Sequence, residues 1–269
     1  DGIPDDYMNL ANPSASLVSP FVVRLNTLTS VKTQNWNMVY IPYCTGDVYS
    51  GDKVAVYEDP EGEAEPLIWH HNGLRNTRAA ISWVKDNLQR PKQLLTTGCS
   101  AGGLGSLTNY HPTRRDMEPN RGYMINDSGP AFSAPSGADP EAYPSVLLQS
   151  FIRDAWGLDQ PNGPLDYLSD GLPDQATKEA LIHERWYTDT ERLKGTLSNL
   201  NNFGYYLPWF RDVNESHCTT IIEFANSDIQ EAGLELDDFV ANVLNGSGAV
   251  MQASETDQQA DYNKPFNPL

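Results

Sequence analysis

The chain of 269 residues has no run of eighteen apolar residues, so no segment has the length and apolarity of a membrane-spanning helix. Basic residues are scarce: 18 Lys and Arg stand against 36 Asp and Glu, a net charge of −18. Nucleic-acid affinity comes from neutralising phosphates with Lys and Arg, so the balance argues against nucleic acid as a partner. A strongly anionic polymer is disfavoured unless salt shortens the screening length. Surplus surface acid suits a salty, extracellular setting. Cysteine is limited to Cys44, Cys99 and Cys218, too few for a disulfide scaffold and odd for a fully paired secreted chain. No Cys-x-x-Cys occurs, so neither a zinc nor a redox site is indicated. The chain starts at Asp1 without a Met or a signal peptide, which predicts a processed product or an incomplete sequence. Histidine is also rare. The five are His70, His71, His111, His183 and His217, and none follows.

What is present is an alternation of strand and helix patterns. Residues 36–43, 93–97, 121–126 and 219–224 read as strands. Residues 74–88 carry Ala79, Ile81, Trp83, Val84 and Leu88 at helical spacing. Further helical patterns are predicted at about 100–110, 144–156, 175–187, 189–200 and 231–244. Strands interleaved with helices imply crossover connections, hence an α/β fold with a mostly parallel sheet flanked by helices. Residues 1–251 are expected to form a single domain, and 252–269 an extended polar tail. In such a sheet the C-terminal strand ends share one edge, where ligands bind. Tyr43–Asp47, Gly98–Ser100, Asn126–Ser128 and Asn226–Asp228 all follow predicted strands. His70 and His71, just before a helix, belong near the same edge.

One stretch carries chemistry. Gly98-Cys99-Ser100-Ala101-Gly102 lies between a strand and a helix, the context of a nucleophile elbow. A serine on a tight strained turn lifts its hydroxyl into a cleft. Glycines two before and two after let neighbouring backbone pass. The helix that starts there aims N–H groups and the positive end of its dipole at the site, making the Ala101 N–H an oxyanion donor. The bland alternative is a glycine-rich loop without chemistry.

Ile41-Pro42-Tyr43-Cys44-Thr45-Gly46-Asp47-Val48, His70-His71-Asn72-Gly73, Gly98-Cys99-Ser100-Ala101-Gly102-Gly103 and Asp127-Ser128-Gly129 together resemble the pectin acetylesterase/Notum family, with the bacterial branch the nearer. The motifs keep the family's order over about residues 35–130. The resemblance implies an α/β-hydrolase-like fold and a Ser–Asp–His triad that removes acyl groups from hydroxyls, with no metal and no organic cofactor. It implies Ser100 as nucleophile. Phe224-Ala225-Asn226-Ser227-Asp228 resembles the segment that carries the family's catalytic Asp, with extra residues between Phe and Asp, so Asp228 is the expected acid. Asp127, also at a strand end, is its rival. Cys44, Asp47 and Asp127 are expected around the pocket.

The base is missing from its implied place, near the C-terminus after the Asp. His217 precedes a strand and so sits on the wrong edge, ~20 Å away for six residues. His111 is about 15 Å along the helix from Ser100. His183 falls inside a helical pattern. His71 and His70 remain as candidate base or pocket residues. The family's glycine-rich segment, which supplies further oxyanion donors, is also absent ahead of Ile41. Three explanations stand side by side: flanking segments or a second chain complete the site, the protein is an impaired member that binds or assembles outside the cell, or a working hydrolase uses a rearranged base such as His71. The expected activity is that of a secreted serine ester hydrolase, extracellular or periplasmic, acting on an acylated carbohydrate or small ester, with acetyl as the family's default. Trp156, Trp186, Trp209, Tyr205 and Tyr206 fit either core packing or a cleft lining.

Overall fold

The computed structural model describes residues 31, 33, 35–59, 61–129, 132–133, 154–157, 175–176, 193–195, 197–207, 228–229, 234–245 and 250–254. The chain divides into two compact units, Ile41–Glu179 and a second made of Asp1–Tyr40 with Ala180–Leu269.

In the first unit, strands β1 (Lys53–Tyr57) and β2 (Leu67–His71) pair antiparallel, Lys53 opposite His71 and Tyr57 opposite Leu67. The loop between them turns on Asp59, whose carboxylate accepts the N–H groups of Glu61, Glu63 and Ala64 at 3.2, 2.7 and 2.9 Å. Helix α1 (Gly73–Asn87) follows and buries Leu74, Thr77 and Val84, three of its inward positions at helical spacing. Strand β3 (Gln93–Cys99) then pairs in parallel with β4 (Arg121–Asp127), in register from Gln93 opposite Arg121 to Cys99 opposite Asp127. A parallel pair needs a crossover, and helix α2 (Ala101–Met117) provides it, packing on both strands and on α1. The buried face of α2 is built of small residues, Gly103, Gly105, Ser106 and Thr108 among them, which lets backbone approach backbone. Short strands β5 (Phe132–Ser133) and β6 (Gln175–Ala176) pair antiparallel.

The loop 43–51 lies over α2. Val48 and Tyr49 both have positive φ, 46° and 62°. Ser50 Oγ and Thr108 Oγ1 are 2.7 Å apart, and Asn109 Nδ2 donates to the Tyr49 carbonyl at 3.0 Å. Gly105 is needed here, because a Cβ would come 2.5 Å from the Tyr49 ring.

In the second unit, β7 (Tyr205–Leu207) pairs in parallel with β10 (Gln252–Ser254), and β8 (Asp228–Ile229) antiparallel with β9 (Leu234–Glu235). Helix α3 (Leu236–Asn245) buries Leu236, Phe239, Val240 and Leu244, and Phe239 meets Tyr206 with ring centroids 5.7 Å apart. Asp237 and Asp238 in its first turn suit the helix dipole.

The α/β class holds, and the longest ladder is parallel with a helical crossover. Three local expectations change. Residues 37–44 run without ladder partners, with Val39 and Tyr40 about half exposed at 51% and 52%. Their apolar pattern suits a strand, but Pro42 offers no N–H and a tight turn follows at once. The helix expected from 231 starts at Leu236, after a short strand. Gln175–Ala176, expected to open a helix, are extended and paired. The strand at 219–224, most of the helices expected at 144–156, 175–187 and 189–200, and residues 255–269 lie outside the described residues.

Candidate active site

Ser100 sits where β3 hands over to α2, with φ 53° and ψ −116°. A non-glycine residue with this backbone is strained and persists only where its surroundings fix it. Its N–H donates to the Asp127 carbonyl at 2.8 Å, and its own carbonyl accepts from Leu104 N at 3.0 Å. The backbone is therefore held from both sides. The residue is partly buried, its side chain does not cap α2, and its hydroxyl makes no hydrogen bond among the described residues. Ala101 opens the helix, so its N–H is among the first-turn donors without an intrahelical acceptor.

The flanking glycines differ in what they do. A Cβ on Gly98 would lie 2.5 Å from both the carbonyl carbon and oxygen of Gly102, whereas a Cβ on Gly102 would meet nothing within 4 Å. Only the first is forced by the crossing of the two backbones. A Cβ on Gly103 would run into Asn126 Oδ1 and the Asp127 carbonyl, and one on Gly129 into the Ser100 carbonyl and Leu104 N. The turn after β4 is thus pressed into the elbow.

That turn brings Asp127 beside Ser100. Asp127 is 6% exposed, and its Oδ1 accepts the Ser128 hydroxyl at 2.9 Å. Ser128, like Ser100, has a positive φ, 56°. Cys99 is disulfide-bonded, and Cys44 carries an exposed thiol.

Asp47 and His71 form a second cluster, beneath the loop 43–51. Asp47 is fully buried and accepts from Thr45 Oγ1 at 2.6 Å, Tyr49 N at 3.2 Å and Gly73 N at 2.7 Å. Its charge thus faces the N-terminus of α1, where the dipole favours an anion and where Asn72 gives no side-chain cap. His71 is 3% exposed, and its Nε2 lies 2.6 Å from Tyr57 Oη. Nδ1 makes no hydrogen bond of good geometry among the described residues, and the nearby Thr45 carbonyl accepts Trp69 Nε1–H at 2.9 Å. Burial pushes His71 below the ordinary imidazole value, and the Asp47 carboxylate and Thr45 carbonyl partly oppose this. The Trp156 ring stands 6.1 Å from the imidazole. His70, next in sequence, faces solvent.

The structure therefore groups Ser100, Ala101 and Asp127 at one strand edge, and Asp47 with His71 in a buried knot. No hydrogen bond joins the two groups among the described residues. His111 lies exposed far along α2, and His183 and His217 are outside the described residues. Asp228 opens β8 in the second unit, and its side chain is outside the described residues. No cluster of three or more His, Cys, Asp or Glu suited to a metal occurs among the described residues. The sequence placed Asn126 at the strand edge and Trp156 in the core or a cleft without a role for either, and Tyr57 went unread. The spacing Asn126-x-x-Gly129 was a readable turn signal, and nothing local marked the other two.

Two comparisons with known proteins bear on this geometry. The pectinacetylesterase family's sequence model matches residues 29–139, the stretch that contains the loop 43–51, the elbow and the Asn126–Gly129 turn. Among solved structures, the chain is similar to the Wnt deacylase Notum from Drosophila, with 17% identity and a TM-score of 0.52 over 82% of this chain and 73% of that one. At that identity the likeness speaks for the fold, an α/β-hydrolase architecture. The family resemblance read from the motifs is borne out.

Proposed function

We propose that this chain, whose residues 29–139 belong to the pectinacetylesterase/Notum family, is a serine carboxylic-ester hydrolase that removes acyl groups, acetyl by default, from hydroxyls of a glycan or similar ester. One observation carries the reading: a partly buried serine with positive φ at a strand-to-helix junction, whose hydroxyl neither caps the helix nor makes a hydrogen bond among the described residues. A structural serine at a helix start ordinarily spends that oxygen on capping.

In this reading the Ser100 oxygen attacks the ester carbonyl as a base takes its proton. Negative charge gathers on the carbonyl oxygen, and the Ala101 N–H at the positive end of α2 stabilises it. The alcohol leaves with a proton, an acyl-enzyme remains, and water releases the acid. The sequence motifs imply the rest of the triad: Asp228 as the acid, with Asp127 as its rival, and His71 as the candidate base. In this reading Cys44 and His70 stand at the pocket wall, and Asp47, fully buried, holds the loop 43–51 that carries it. A net charge of −18 favours a neutral acylated glycan or small ester over a de-esterified anionic backbone. The surplus of acid also suits an extracellular or periplasmic setting.

Acetate release from p-nitrophenyl acetate and from an acetylated neutral glycan tests this. Loss of Ser100 to alanine should reduce turnover by several orders of magnitude. Equal turnover by Ser100→Ala and the parent would refute it. A second reading is a catalytically impaired member that binds or assembles outside the cell. It predicts retention on an acylated-glycan column with almost no acetate release.

A further inference from the structure

We propose that Asn126 is a positioning residue for Ser100 and for the Ala101 N–H, an inference that rests on the hydrolase reading above. Asn126 stands opposite Gly98 in the β3–β4 ladder, directly beside the elbow. Its side-chain amide closes the turn after β4 in both senses. Nδ2 donates to the Gly129 carbonyl at 2.7 Å, and Oδ1 accepts the Gly129 N–H at 3.0 Å. One planar group therefore fixes both polar atoms of Gly129. Asn126 Oδ1 also faces Gly103 in the first turn of α2.

Gly129 in turn packs against the Ser100 carbonyl and Leu104 N, so closely that a Cβ on it would lie 2.5 Å from that nitrogen. The Ser100 carbonyl and the Ala101 N–H are the two ends of one peptide unit, which is planar and rigid. Fixing the carbonyl therefore aims the N–H. It also sets the backbone from which the serine hydroxyl projects. A single amide, without touching substrate, thus determines the direction of the nucleophile and of the oxyanion donor together.

The test is the second-order rate of fluorophosphonate labelling at Ser100, compared with thermal melting, for the parent, Asn126→Ala and Asn126→Asp. Asn126→Ala removes both bonds. Its labelling should slow by about 10- to 100-fold at temperatures well below its own melting point, the scale of an ångström-sized misplacement. Asn126→Asp supplies the discriminating readout. As a carboxylate it lacks the donor to the Gly129 carbonyl, and as a neutral acid it regains one donor and one acceptor. Its rate relative to the parent should therefore be low at neutral pH and recover as pH falls through the carboxyl range. A merely structural role would shift melting and leave that ratio flat. A parent that is not labelled at Ser100 overturns the hydrolase reading and this inference with it. A labelled parent, with Asn126→Ala at the same rate or Asn126→Asp flat in pH, overturns this inference alone.

Discussion

Gly98→Ala adds one methyl carbon where the chain has no room. The new Cβ would stand 2.5 Å from the carbonyl carbon and oxygen of Gly102. Favourable carbon contacts need about 3.5–4.0 Å, so β3 and the first turn of α2 must separate by about 1 Å. Overpacking of this kind costs about 1–3 kcal/mol, and the stiffer unfolded chain returns about 0.4–1 kcal/mol. The net loss is about 1–2 kcal/mol. Gly102→Ala is the matched control, since its Cβ meets nothing within 4 Å. As a helical glycine it should gain about 0.5–1 kcal/mol. The two variants should thus differ by about 2 kcal/mol, or ~1 M in urea midpoint at a slope of about 2 kcal/mol/M. Fluorophosphonate labelling should slow by up to about 100-fold in Gly98→Ala, because separating the strand and helix tilts the serine. Gly98→Ala with the parent's midpoint and labelling rate, or Gly102→Ala as the worse of the pair, would refute the crossing of backbones described above.

The remaining predictions concern the knot below the loop 43–51. Asp47→Ala leaves three buried or part-buried donors, Thr45 Oγ1, Tyr49 N and Gly73 N, without their acceptor. Orphaned groups cost about 1–3 kcal/mol each, not fully additively, so a loss of about 3 kcal/mol or more in urea unfolding is expected. His71 predicts a pH dependence of stability. Its folded value is lowered by burial from 6.5, so the unfolded chain takes up a proton first as pH falls. The contribution is complete above about 6.5 and is lost as pH drops from there through the lower folded value. Urea midpoints should fall over that window in the parent, and His71→Gln should flatten the decline; an unchanged decline would contradict the assignment.

The elbow and its setting were legible because each part has a local signature. Gln93–Cys99 is a short apolar run, the glycine–serine turn follows, and Arg121–Asp127 is a second compact run at crossover distance. The hairpin Lys53–Tyr57 with Leu67–His71 was not read. Val54, Val56, Leu67 and Ile68 are each about half exposed, at 49%, 57%, 51% and 61%, so no clean alternation of buried and exposed positions marks the two strands. Residues 37–44 show the converse: the pattern suits a strand, but pairing depends on a partner elsewhere in the chain. His70 and His71 could not be told apart in sequence, since a shift of one residue in register exchanges the two faces of a strand. The knot of His71 with Tyr57 and Trp156, like the pairing of Gln252–Ser254 with Tyr205–Leu207, joins residues with no shared local pattern.

The central claim is that Ser100 is held as a nucleophile. Peptide mapping after treatment of the native protein with a fluorophosphonate tests it most directly. One stoichiometric adduct is expected, on the Ser100 peptide and absent from Ser100→Ala. No adduct, or an adduct on a different serine that persists in Ser100→Ala, would contradict it.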